Sequence, residues 1–195
     1  MTEAAVRQRG RPSARQRILE AAEAVAQKVG PAHLSLEAVA ERAGISKGGL
    51  LYHFPSKQAL IVAVIEQHIS QIECVRRKAE AQAASSPCPV ANGHIEAFKH
   101  KMQDDSTVPP GILAALAETP ALLEPFRDYN RRFVERIDRT KPGWEMAMIA
   151  FYMVEGMKAL QIFASDPLPA AERRQVLEAM KTLISSCADR AEPAA

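Results

Sequence analysis

Between Ser46 and Lys57 the chain collects side chains suited to hydrogen-bonding anions and base edges: a hydroxyl at Ser46, ammonium groups at Lys47 and Lys57, a phenol at Tyr52 and an imidazole at His53. Among them stand Gly48 and Gly49, which carry no side chain. Adjacent glycines weaken a helix by about 1 kcal/mol each, a cost best rationalised where bare backbone must come close to another surface. Lys47 falls in the first helical turn, where a cation gains nothing from the helix dipole and serves an outside anion such as a phosphate. Leu50 and Phe54, four apart, can face inward while Tyr52, His53 and Lys57 reach out to sugar and phosphate oxygens. This is the chemistry of duplex recognition rather than of bond breaking. The plain alternative is a helical hairpin with an exposed basic edge.

Short helices must hold these groups in place. Ser35 caps a helix whose apolar residues Leu36, Val39, Ala40 and Ala43 recur at helical spacing; Gly44 and Ile45 break it, and Ser46 caps a second, shorter helix. That is a helix-turn-helix outline, with Ser35 and Ser46 both among the residues expected at DNA. A preceding helix, capped by Ser13 with Gln16 in a capping-box pattern, carries the stripe Ile18, Leu19, Ala22, Val25, Ala26 and Val29 up to Gly30 and braces the other two.

The segment GISKGGLLYHFPSKQAL resembles the recognition-helix signature of the tetracycline-repressor (TetR) family of bacterial transcriptional regulators in order, spacing and residue type, and the resemblance runs from about Ser13 to about Ile65. It implies an all-α fold, with an N-terminal three-helix helix-turn-helix DNA-binding domain and a C-terminal helical ligand-binding and dimerisation domain. By position, Ser46, Lys47, Gly48, Gly49, Tyr52, His53 and Lys57 inherit DNA-contact roles on a helix that enters the major groove. The chain departs from the pattern at Leu51, where many members carry a second tyrosine as a phosphate contact; Leu51 either packs inward or touches a thymine methyl.

Charge is distributed accordingly. The whole chain has 25 basic and 23 acidic residues, of which residues 1–60 hold 9 and 5. Ahead of Ser13, the run RQRGRPSARQR is too polar and charged to fold alone; Arg9 and Arg11 are placed either on an arm that enters a minor groove or on a solubilising tail. Cys74, Cys88 and Cys187 are few and lack metal-ligand spacing, which suits a reducing cytoplasm and predicts no metal and no cofactor. The apolar stretch Ala147 to Val154 is too short to span a bilayer, no apolar run follows the basic start, and no membrane partner is expected. An enzyme is disfavoured, since HExxH, GxSxG and glycine-rich phosphate loops are missing and His33, His53, His68, His94 and His100 form no metal spacing.

The chain therefore divides into a basic arm (1–12), a DNA-binding domain (13–59), a helical effector-binding and dimerisation domain (60–190) and a tail (191–195). In the third part a long helix is expected from Ser56 to about Ala84, with Leu60, Ile61, Val64, Ile65, His68, Ile69, Ile72 and Val75 buried; then a loop (85–93), a helix from His94 to Gln103, a break, a short apolar segment (112–118) and a helix from Thr119 toward Arg139 that Pro125 kinks. Large side chains available to line an effector cavity are Phe98, Met102, Leu113, Leu116, Phe126, Tyr129, Phe133, Trp144, Met148, Phe151 and Tyr152, with Glu118, Arg132 or Glu155 as polar anchors; each is also an ordinary core residue by its type. A final helix pair, split by the DPLP turn, offers a self-pairing surface of Glu155, Gly156, Leu160, Phe163, Val176, Met180, Leu183 and Ile184. Gly156 implies close approach by a ligand or by a partner helix, the partner being favoured. The functional expectation is a homodimeric repressor that binds a palindromic double-stranded DNA operator and is released by a small apolar or aromatic effector. The rival is a DNA-binding or architectural protein controlled by a protein partner.

Overall fold

In a computed structural model of the protein, the described residues are 13–30, 33–103, 119–141, 143–163 and 165–189, all helices and connections. Leu113, Leu116 and Glu118, together with Arg9 and Arg11 of the basic arm, lie outside them. The described residues divide into two compact units, one up to Val64 and the other from Ile65 onward.

The first unit is built from α1 (Ala14–Val29), α2 (Leu36–Ala43), α3 (Lys47–His53) and the first turns of α4 (Lys57–Gln82). Serine hydroxyls cap all four: Ser13, Ser35, Ser46 and Ser56 accept from the backbone N–H of Gln16, Ala38, Gly49 and Ala59 at 3.0–3.1 Å. Each such cap is worth about 1 kcal/mol. The capping box at Ser13 is only half made, because the Gln16 side chain donates to Glu20 instead of turning back. Gly44 ends α2 with φ 67°, a left-handed conformation that a side chain would strain, and its N–H closes onto the Ala40 and Glu41 carbonyls. Ile18, Leu19, Ala22, Leu34, Val39, Leu50, Phe54 and Leu60 form the core. Val29, expected on the inward stripe of α1, is exposed at its last turn.

In the second unit α4 continues to Gln82, short of the expected Ala84, followed by α5 (Pro89–Gln103), a 3₁₀ turn (Pro120–Leu123), α6 (Glu124–Glu135), α7 (Trp144–Ile162) and α8 (Ala170–Asp189). Two expectations are corrected. The segment 85–93 is not a loop throughout: α5 starts at Pro89, since proline at a first helical position loses no hydrogen bond, and Gly93 lies inside the helix. The helix expected from Thr119 is broken into a 3₁₀ turn and α6, with Pro125 in the first turn of α6 rather than at a kink, and Thr119 makes no side-chain cap. Ile95, Phe98, Phe133, Ile137, Ala147, Phe151, Val154, Leu177, Met180 and Ile184 form one core, which α5 shares with α7 and α8. Two ion pairs tie α5 to α8: Glu96 with Lys181 at 2.5 Å, and Lys99 with Glu178.

Candidate functional sites

The α2–α3 pair presents one exposed edge. Leu50 and Phe54 point into the core as their spacing requires, and the Phe54 ring carries the Arg15 guanidinium 5.1 Å from its centroid. With those two anchors fixed, the helical period turns the intervening residues outward: Tyr52 is 87 % exposed, the largest exposure of any big apolar side chain described, and its ring meets His53 edge-on at 5.3 Å. Ser35, Ser46, Lys47 and Gly48 are exposed too, while Gly49, Leu51, His53 and Lys57 are half-buried. A side chain on Gly48 would meet nothing nearer than the Ser46 hydroxyl at 4.0 Å, and one on Gly49 the same hydroxyl at 3.3 Å. Gly48 is therefore not demanded by packing within the protein, whereas a side chain on Gly49 would press on the hydroxyl that caps α3.

Lys47 departs from the expectation. Its ammonium is not without an internal anion: the Glu37 carboxylate of α2 lies 2.6 Å away, with both side chains mostly in solvent. That hydrogen bond and the lysine's charge hold the Glu37 carboxyl below the usual carboxylate range. An exposed pair of this kind is weak and salt-sensitive, so Lys47 remains exchangeable between Glu37 and an outside anion.

In the second unit the candidate effector residues separate. Phe98, Tyr129 and Phe151 are buried; Met102, Phe126, Trp144 and Met148 are half-buried. Tyr152 does not line the interior but stands exposed on α7, because Ala150, Phe151 and Val154 occupy the inward side of its helical turn, and Arg132 is likewise exposed. The self-pairing set also divides: Leu160, Phe163, Val176 and Leu183 are exposed, whereas Met180 and Ile184 are buried in the unit's own core and are withdrawn from that surface. Glu155 faces inward, at 3.2 Å from His94 and 2.6 Å from Lys158. Gly156 is exposed, with open space where a Cβ would stand.

A buried polar layer was missed from the sequence. Arg76, 1 % exposed, donates from Nε at 2.9 Å and from Nη2 at 2.5 Å to Glu73, and from Nη1 to Glu80; the second Glu80 oxygen accepts from Arg136, just past the end of α6, at 2.7 Å. The Arg76 guanidinium lies over the Phe133 ring, which also packs on His94 at 4.4 Å between centroids. A signal existed: Ile69, Glu73, Arg76 and Glu80 follow one another at helical spacing, so the inward face of α4 turns polar without changing direction.

Comparison with known proteins agrees with this geometry. Residues 18–64 match the model of bacterial regulatory proteins of the tetR family, and residues 89–185 match that of the tetracyclin repressor-like C-terminal domain. The HTH-type transcriptional regulator RutR of Escherichia coli K12 is 43% identical over 72 residues, 34% of either chain. The HTH-type transcriptional repressor KstR of Mycobacterium tuberculosis is 34% identical over 89 residues, 46% of this chain and 40% of the relative. The matched region thus spans well under half the length of these curated relatives. The multidrug binding protein EbrR, solved with malachite green, shares the fold at a TM-score of 0.64 with 23% identity, over 87% of this chain and 98% of that one. An N-terminal helix-turn-helix unit followed by a helical C-terminal unit, each matched by its own model, makes the chain a member of the tetracycline-repressor family of bacterial DNA-binding transcriptional regulators.

Proposed function

We propose that the protein is a repressor that binds a palindromic operator as a homodimer through α3 and leaves it when a small molecule occupies the second unit. The observation that carries the DNA contact is the paired glycine surface of α3: Gly48 and Gly49 weaken the helix, Gly48 serves no packing within the protein, and both adjoin the exposed Tyr52. Bare backbone there admits the helix to a major groove. Lys47, Tyr52, His53 and Lys57, with Ser35 and Ser46, then hydrogen-bond phosphates and base edges. One seven-residue helix reads few base pairs, so a two-fold dimer with recognition helices about one turn of DNA apart, roughly 34 Å, supplies the missing specificity.

The dimer surface is the apolar face left on α7 and α8 by Tyr152, Leu160, Phe163, Val176 and Leu183, with Gly156 giving a partner helix room to approach. Effector and DNA are linked through two conformations of the dimer: a ligand that prefers the form whose heads no longer match the groove spacing weakens DNA binding, by a coupling of about 1–3 kcal/mol. The relative named a repressor and the structural neighbour that binds a dye support release by a small molecule over control by a protein partner.

The test is retardation of the DNA upstream of the gene. An inverted-repeat fragment should be retarded at concentrations that leave a shuffled fragment free. Equal affinity for both would remove the reading. Lys57→Ala should weaken binding to all sequences alike and lower the salt slope by about one unit.

A further inference from the structure

Two buried side chains of the second unit keep polar atoms without a partner among the described residues, and they share neighbours. Neither ring nitrogen of His94, 1 % exposed, nor the hydroxyl of Tyr129, 7 % exposed, has a well-aligned hydrogen bond; Glu155 and Arg76 come close enough only to influence their protonation. A buried donor or acceptor left unmade is costly, so side chains retained in that condition point to something that completes them. His94 Nε2 is 3.2 Å from Glu155 Oε1 but not aligned to bond it. The His94 ring packs on Phe133 and Phe151, at 4.4 and 5.6 Å between centroids, and those two rings stack at 5.2 Å. Tyr129 sits one turn before Phe133 on α6, where Arg76 and Glu155 both act on its phenol; the same two groups act on His94.

The charges in this layer are already matched. Arg76 is taken up by Glu73 and Glu80, the second oxygen of Glu80 by Arg136, and Glu155 by Lys158 at 2.6 Å. Burial keeps His94 neutral by pushing its pKa down, and pushes Tyr129 up to about 12, so it remains a phenol. What is left over is uncharged: an imidazole N–H, an imidazole lone pair and an O–H. A ligand bringing a charge here would bury it without a counter-ion.

We infer that His94, Tyr129 and Glu155 form the polar end of a site for an uncharged, flat small molecule that carries both a hydrogen-bond donor and an acceptor, of the carboxamide or phenol type, with its ring against Phe133 and Phe151. The inference rests on the reading of this unit as the effector-binding body, and it names the effector's polar class. The ligand's donor meets Glu155 or the imidazole lone pair; its acceptor takes the His94 N–H or the Tyr129 hydroxyl. An effector with no polar group would leave all of them unmade.

The test is calorimetric titration of the full chain with benzamide, phenol, benzoate and benzylammonium, which share a ring and differ in the charge of the head group. Benzamide and phenol should bind at least tenfold more tightly than the two ions. Tyr129→Phe should weaken benzamide by about five- to tenfold, the worth of one hydrogen bond, while the melting temperature of the ligand-free protein stays level or rises, since the lost hydroxyl had no partner. Either ion binding as well as benzamide, unchanged benzamide affinity in the variant, or failure of all four probes overturns the inference. Retardation of the upstream DNA by the same preparation separates the two readings. Protein that prefers the inverted repeat but shows any of those results loses only the ligand class; protein that takes benzamide but prefers no inverted repeat loses the regulator reading instead.

Discussion

Gly93 of α5 lies so close to Glu80 of α4 that a Cβ at the glycine would stand 2.7 Å from the Arg76 carbonyl oxygen, 3.2 Å from the Glu80 N–H nitrogen and nearer still to the Glu80 side chain. Two of those neighbours are backbone and cannot rotate away. Replacing Gly93 by alanine gains about 1 kcal/mol of helix propensity, but overpacking against fixed backbone costs about 1–3 kcal/mol, and the Glu80 carboxylate that holds Arg76 and Arg136 must also move. Gly93→Ala is therefore expected to lower stability by about 1–2 kcal/mol, read as a lower urea midpoint with unchanged slope. A midpoint at or above that of the parent protein would show that the two helices are not pressed together there.

Glu37 competes with DNA for Lys47. The 2.6 Å ion pair must open before the ammonium can reach a phosphate, and Glu37 itself brings negative charge toward the duplex. Glu37→Gln should tighten binding to inverted-repeat and random duplexes alike, and Lys47→Ala should weaken both, lowering the salt slope by about one unit. Because the lysine holds the Glu37 carboxyl below its ordinary range, the competition persists across neutral pH and the Glu37→Gln gain should be the same at pH 6 and pH 8. Titrations at two salt concentrations measure it; a Glu37→Gln protein no tighter than the parent removes Glu37 from the interface.

The first unit was legible in the sequence because its information is local. Serine caps, a left-handed glycine and apolar residues three and four apart fix α1 to α3 whatever else the chain does, and they place Leu50 inward and Tyr52 outward without reference to distant residues. The second unit was legible only in outline. Type alone put Met180 and Ile184 on the same surface as Leu183, although the helical period sends Leu177, Met180 and Ile184 to one side of α8 and Val176 and Leu183 to another. Arg76 and His94 were hidden for a different reason. For Arg76 the only local sign is the spacing of Glu73 and Glu80, three before and four after it, and nothing local to His94 says that aromatic rings from two other helices will close over it.

Two histidines set the response to mild acid. Burial, reinforced by Lys101 and Lys158, lowers the pKa of His68 from 6.5 to about 4, and burial likewise lowers that of His94 despite the adjacent Glu155. Unfolding restores ordinary values, so below pH 6.5 the unfolded chain binds protons that the folded chain refuses. The stabilisation is fully present above pH 6.5; for His68 it is lost as pH falls toward 4, with a slope approaching about 1.4 kcal/mol per pH unit, and His94 adds a loss of the same sign. The carboxyls of Glu73, Glu96 and Glu155 are held below 4.5 and add their own loss only at lower pH. Urea unfolding between pH 7.5 and 5 should show the decline, and His68→Gln should make it shallower. An unchanged slope in that variant would return His68 to the solvent.

Gly156 tests the self-pairing face, because its surroundings are the reverse of those at Gly93. Within one protomer a Cβ at Gly156 meets nothing, so Gly156→Ala should stabilise the isolated chain through the ordinary helical preference for alanine, by up to about 1 kcal/mol. If a second copy lies against Tyr152, Leu160 and Phe163 and uses the glycine for close approach, added bulk there weakens the pair. The larger Gly156→Leu should then dissociate it, as should Leu183→Asp, which sets a charge on a side chain 53% exposed in the protomer and covered in the dimer. Sedimentation of the three variants at equal concentration, each with its melting curve, distinguishes the outcomes. Folded monomers from Gly156→Leu and Leu183→Asp, with DNA affinity lost in both, place the interface on α7 and α8. Folded dimers of both that still retard the inverted repeat place it elsewhere.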